Sequence, residues 1–173
     1  MSSSHTGDAL QRRIRYLIGE SYLRCGKLEA ATAIFEDLEE SLPQESLLQC
    51  ADALVKNGDL RLAYDTYASV YGREQIPREK LASLAQSALS HGCFRFAQGL
   101  YGRIGSTVPF EAAATCANVA LRNGHIDEAT AAYQSHGLEL PIDKVVAAAD
   151  NALDNGSEGI AKTLLAFVAQ SST

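Results

Sequence analysis

The sequence predicts an all-α protein, an α-solenoid built as a stack of about five antiparallel helix pairs. Three observations predict it. Glycines at 26, 58, 92, 124 and 156 recur at intervals of 32, 34, 32 and 32 residues. The only four prolines, Pro43, Pro77, Pro109 and Pro141, each lie 15 residues before the next of those glycines. An alanine follows every one of the glycines by five residues, at Ala31, Ala63, Ala97, Ala129 and Ala161. A fixed period of this length marks a repeat architecture in which each unit packs on its neighbours.

Each element follows from that frame. Proline is tolerated in the first turn of a helix, where its missing N–H costs nothing, so each proline opens the first helix of a pair. Each turn glycine closes that helix, because glycine takes the left-handed conformation a helix end needs. The first helices are expected over 8–24, 44–57, 77–91, 108–123 and 141–155. The second helices are expected over 28–41, 60–72, 93–104, 126–137 and 157–170. Four residues after the alanine stands a large side chain, Phe35, Tyr67, Tyr101, Tyr133 or Leu165, with Leu38, Val70, Ile104, His136 and Val168 three further on. Spacings of four and three share one helical face. Seven residues before each glycine is another small residue, Gly19, Ala51, Ala85, Ala117 or Ala149. Small residues facing one another let two helices approach closely. The expected organisation is a flexible N-terminus, 1–7, then a single domain over 8–170, with repeats at about 8–42, 43–76, 77–108, 109–140 and 141–170.

The bulk composition narrows the class of function. The 173 residues are 46% hydrophobic and 21% charged, with a formal net charge of −6. That balance argues against a nucleic-acid surface, which is normally basic. Arg12, Arg13, Arg15, Arg24 and Lys27 make the first repeat locally basic, but the interleaved aromatics of a stacking platform are missing. Cys25, Cys50, Cys93 and Cys116 are widely spread, without a CxxC pair, and read as reduced thiols rather than a disulfide framework or zinc site. The polar start, Met1-Ser2-Ser3-Ser4-His5-Thr6-Gly7, lacks the apolar core of a secretory signal, and no apolar run approaches a membrane span. The expected location is cytoplasmic.

The arrangement resembles the tetratricopeptide repeat (TPR) family over about residues 10–170. The first unit carries the resemblance best, with Ile18-Gly19, Tyr22, Gly26, Leu28, Ala31, Phe35 and Pro43 matching the family signature in order. The family's aromatic near the start of the first helix is absent, Arg15, Leu47, Leu81, Ala113 and Val145 standing at that phase. Three of the four intervals are 32 rather than the usual 34. The resemblance implies a right-handed superhelix, a concave groove lined by the first helices, and a protein that binds other proteins without doing chemistry.

On that geometry the candidate partner-binding residues are Tyr16, Glu20, Leu23, Leu48, Asp52, Val55, Gln86, Leu89, Asn118, Leu121 and Asp150. The aliphatic phase, Leu23, Val55, Leu89, Leu121 and Leu153, is either core between repeats or an apolar stripe in the groove. Glu20, Asp52 and Asp150 are either a solvated face or groove residues. Glu45, Glu79, Glu111 and Asp143, near helix starts, suit the helix dipole. An apolar stripe edged with carboxylates and amides would take a partner segment with apolar and basic residues. Chaperone-tail clamps of the TPR family use Lys, Arg and Asn at these phases, so that role is not expected here. Near the C-terminus, Leu164 and Phe167 fall off the inner stripe and are candidates for self-association into a homo-oligomer through that end.

Catalysis has little support. His5, His91, His125 and His136 are scattered, and no nucleophile, base and orienting group can be placed together. No catalytic residue, metal ligand or cofactor site is expected, and the glycines are repeat punctuation rather than a phosphate loop. The expected function is a non-enzymatic adaptor or scaffold. The alternatives are a chaperone or assembly factor of a secretion system or other complex, and a regulatory subunit of an enzyme. No membrane span and no nucleic-acid partner are expected.

Overall fold

The computed structural model describes residues 3–171, with side chains from Asp8 onward. The expected tail, 1–7, includes Met1 and Ser2, which lie outside the described residues. Among the described residues the chain is ten α-helices and one short 3-10 turn, without a strand. It divides into two compact units, Met1–Pro77 and Arg78–Thr173.

The first unit holds α1 (Ser3–Arg24), α2 (Leu28–Asp37), α3 (Gln44–Asn57), α4 (Leu60–Tyr71) and the 3-10 turn Arg73–Gln75. Helix α1 packs on α2 and α3 on α4, and the two pairs meet through α1 and α3. The second unit holds α5 (Arg78–Ser90), α6 (Phe94–Ile104), α7 (Phe110–Arg122), α8 (Ile126–Gln134), α9 (Ile142–Asp154) and α10 (Glu158–Ser171). Its pairs are α5 with α6, α7 with α8 and α9 with α10; first helices also meet along α5, α7 and α9, and second helices along α6 and α8. Every helix pair predicted by the period is present, and each makes contact with its neighbour within its unit.

The turns explain why the glycines recur. All five turn glycines have positive φ, between 71° and 85°. At each, the glycine N–H donates to the carbonyl three residues back, and the next N–H donates to the carbonyl five residues back. Examples are Gly26 N to Leu23 O at 2.9 Å with Lys27 N to Tyr22 O at 2.9 Å, and Gly124 N to Leu121 O at 2.9 Å with His125 N to Ala120 O at 2.8 Å. This is the Schellman closure, which satisfies the last carbonyls of the first helix. Pro43, Pro109 and Pro141 sit one residue outside their helices, as N-cap residues with φ near −65°. The prolines therefore precede the first turn rather than occupy it.

The second helices α2, α6 and α8 end by the same closure, α6 where expected and α2 and α8 a few residues earlier. Gly105 and Gly137 take φ of 75° and 70° there, and Glu39 takes φ of 55°. Glu40 N, Ser106 N and Leu138 N donate to Phe35 O, Tyr101 O and Tyr133 O.

The small residues meet at the centre of each pair. Gly19, Ala51, Ala85, Ala117 and Ala149 are buried, as are Ala31, Ala63, Ala97, Ala129 and Ala161. A Cβ on Gly19 would lie 2.7 Å from Phe35 Cε2 and 3.3 Å from Ile34 Cγ2, so the Phe35 ring occupies the space that alanine takes in other pairs. Tyr16 stacks edge-on against that ring with centroids 5.1 Å apart. Tyr133 is met by Phe110 at 6.1 Å. Burying a side chain of this size contributes roughly 1.5–3 kcal/mol. Polar contacts tie the seams: Glu128 of α8 accepts from Arg95 N at 2.8 Å in the first turn of α6, a position where a carboxylate offsets unpaired N–H groups.

Candidate partner-binding surface

The residues expected to line a groove separate into core, structural contacts and open surface. Leu23, Val55, Leu89 and Leu121 are buried and belong to the core. Leu153, the fifth member of that phase, is exposed instead, so the phase is core in four pairs and surface in the last. Tyr16 is half-buried against Phe35. Leu48 is half-buried as well, while Gln86 and Asp150 are exposed.

The acidic residues at mid-helix have structural partners in the first unit. Glu20 accepts from Ser46 Oγ of α3 at 3.4 Å and pairs with Arg24 at 3.5 Å. Asp52 accepts a short hydrogen bond from the Tyr67 hydroxyl, which ties α3 to α4. Burial and that hydrogen bond to a carboxylate push the Tyr67 phenol well above its usual value. Asp150 has no ion pair among the described residues and remains a surface charge.

The basic character of α1 is also partly absorbed. Arg12 donates to Leu38 O at 2.6 Å and to Glu40 at 3.1 Å, and Arg15 pairs with Asp37. Both pin the C-terminal end of α2, where a cation meets unpaired carbonyls favourably. Arg13 carries no such contact among the described residues.

Among the described residues a cleft opens between adjacent first helices in each unit. The first, of about 460 Å³, lies between α1 and α3 and is lined by Arg24, Cys25, Gln49, Asp52, Ala53, Lys56 and Asn57. The second, of about 230 Å³, lies between α7 and α9 and is lined by Asn118, Leu121, Arg122, Lys144, Ala147, Ala148 and Asn151. The two share a register. Gln49 and Ala147 both stand nine residues before their turn glycine, Ala53 and Asn151 five before, and Arg24, Lys56 and Arg122 two before. Of the expected residues, Asp52 reaches the first cleft, while Asn118 and the inner Leu121 reach the second.

The lining cations were missed at the sequence level. The signal for Arg24, Lys56 and Arg122 was present, since a basic residue stands two before the glycine in three of the five pairs. Lys144 stands twelve before its glycine, on the flank that faces the preceding pair. In the second cleft Arg122 and Lys144 form no ion pair among the described residues, and the rest of the lining is amide or aliphatic. Such a floor suits an anionic or amide-bearing group.

The thiols do not converge on reactive chemistry. Cys116 is buried, and burial first, then Cys93 and Glu128, pushes its thiol up to about 12. Burial and Glu128 raise Cys93 also, and burial raises Cys50. A thiol held protonated is a poor nucleophile. Among the described residues no group of three or more His, Cys, Asp or Glu side chains could hold a metal ion, and no helix is long and apolar enough to cross a membrane. No family model matches the chain, and no curated protein matches it in sequence.

Near the C-terminus, Leu164 is fully buried and Phe167 half-buried. Leu164 is therefore removed from the exposed residues expected there. Leu165, expected inside, is exposed instead. The side chain three residues after Ala161 takes the inner place, as Leu100 does after Ala97 with Tyr101 half-buried, whereas Phe35, Tyr67 and Tyr133 hold it in the other pairs.

Proposed function

We propose that the chain is a TPR-like, non-enzymatic adaptor that holds a partner segment along its first helices, the pairs stacking as a right-handed superhelix. The observation that carries the reading is the recurrence of a cleft in one register between α1 and α3 and between α7 and α9. A repeat that presents the same opening more than once is suited to an extended ligand read side chain by side chain.

The chemistry of the lining shifts the expected partner. The case for a basic partner rested on the phases three and six residues before the glycine. Leu23, Val55, Leu89 and Leu121 of the first phase are buried while Leu153 is exposed, and Glu20 and Asp52 of the second are engaged by Ser46, Arg24 and Tyr67. Arg122 and Lys144 instead set the sign of the α7–α9 cleft, so the partner segment presents carboxylates there, with small apolar residues over Ala147 and Ala148.

Fluorescence polarisation against a peptide series tests this. Acidic peptides with interspersed apolar residues should bind, weaken as salt is raised, and lose about tenfold or more on the double change Arg122→Glu and Lys144→Glu. Binding of the lysine-containing counterparts instead, or binding indifferent to the double change, would reject the reading.

A further inference from the structure

A seam between consecutive pairs is built from two faces. One is the side of a first helix that looks toward the following pair, the other the side of the next first helix that receives it. Within the two units this seam occurs three times, between α1 and α3, α5 and α7, and α7 and α9. On the giving side Leu23, Leu89 and Leu121, each three residues before the turn glycine, are buried. On the receiving side, eight residues before the next glycine, Cys50 and Cys116 are buried and Ala148 is half-buried. Leu121 and Ala148 line one cleft, which puts the two positions opposite each other.

Among the described residues, a giving face on α9 and a receiving face on α1 are open. On α9 the giving residue Leu153 is 50% exposed, and Leu165 on α10, the helix paired with it, is 43% exposed. The turns show the same thing: an added Cβ on Gly92 would meet Ala120 N at 2.8 Å, whereas one on Gly156 would meet nothing within 4 Å. On α1 the receiving residue Ile18 is 43% exposed and Ile14, one turn earlier, is 47% exposed.

The two helices also differ in charge. Helix α1 carries four arginines against two carboxylates, with Arg12 and Arg15 held by the end of α2 and Arg24 loosely paired with Glu20 of its own helix, while α9 carries three aspartates against one lysine. Asp150 and Asp154 have no ion pair among the described residues. Arg24 and Lys56 hold the same place in their helices and line one cleft. By that register Asp154 of one copy stands opposite Arg24 of another.

We propose that the chain associates head-to-tail with further copies of itself, Leu153 and Leu165 of one copy seating on Ile14 and Ile18 of the next, with Asp154 across from Arg24. The contact repeats the internal seam with a second copy as the neighbour. It is heterologous, so each added copy leaves one face of each kind free and growth does not stop at two. The inference does not rest on the partner-binding reading, and the change at Arg122 and Lys144 leaves it intact.

Sedimentation velocity over a concentration series decides it. The unaltered chain should show an average mass that climbs past that of a dimer as concentration rises. Leu153→Asp and Ile18→Asp should each abolish growth while the helical circular dichroism is retained, since both side chains are exposed. Mixed in equal amounts, these two variants should form a species of two copies that grows no further, because each keeps the one face the other lacks. Asp154→Lys should weaken growth and Arg24→Glu should restore it. A chain monomeric up to about 1 mM would overturn the proposal. So would a dimer indifferent to Ile18→Asp, or a variant mixture that stays monomeric.

Discussion

Glu39 holds a φ of 55° at the end of α2, where α6 and α8 place Gly105 and Gly137. The left-handed conformation costs an L-residue about 1–2 kcal/mol, and only part of that is returned by the greater freedom of glycine in the unfolded chain. Glu39→Gly should therefore raise stability by about 0.5–1 kcal/mol, read as a higher urea midpoint at unchanged slope. A lower midpoint would mean that the Glu39 side chain has a role the closure alone does not reveal. Gly19 shows the opposite economy of space. It occupies the first-helix position held by alanine in every other pair, because Phe35 has taken the volume of the methyl group. A single small-to-smaller exchange and a large partner thus appear together at one contact.

At the scale of the element, the turns carry two separate requirements. All five glycines need positive φ, but they differ in what lies behind them. Gly92 is backed by the Ala120 backbone and Gly156 by open space. Gly156→Ala should cost the conformational term alone, about 1–2 kcal/mol. Gly92→Ala adds a collision with main chain that cannot turn aside, and should cost about 2–4 kcal/mol in chemical denaturation. Equal losses at the two sites would show that the seating of the turn on α7 contributes nothing.

The same distinction marks what was legible in the sequence. Helix pairing was legible, because glycine, proline and alanine act through backbone conformation and volume, which repeat with the chain. The buried rows led by Ala51 and Ala63 follow directly. Whether Leu23, Leu89 and Leu121 were core or groove was not legible, since both readings put them on the inner half of the helix. Only the placement of the next pair decides between them. The exchange of Leu164 for Leu165 was hidden for a related reason: two adjacent positions both border the inner stripe, and the first helix opposite selects one. The cleft cations Arg122 and Lys144 come from different pairs, so no single period brings them together on paper.

For the molecule as a whole, the buried thiols set an alkaline limit. Cys116 has an ordinary value near 9 and is held at about 12 in the fold. The folded state therefore keeps its proton more tightly than the unfolded chain. The stability this represents is complete below about pH 9 and is lost as pH rises toward about 12. Cys50 is raised in the same direction in the other unit. Thermal unfolding followed from about pH 8 to about pH 11 should show a falling midpoint, and Cys116→Ala should flatten that fall. A slope unchanged by Cys116→Ala would place the alkaline sensitivity elsewhere.

The common register of the turns also bears on how such a chain tolerates change in length. In the second unit, successive pairs present the same closure and the same small residues at positions 32 apart. Loss of 109–140, one full period, would bring α9 and α10 to the place of α7 and α8 with Ala149 and Ala161 in register behind α5 and α6. Loss of a few residues more or fewer that cut into a helix would rotate the rest of that helix, at about 100° per residue, and turn its buried alanine toward water. Gain and loss of sequence in this architecture are thus quantised: whole pairs can be inserted or deleted as units, while fractional changes are confined to the loops between them.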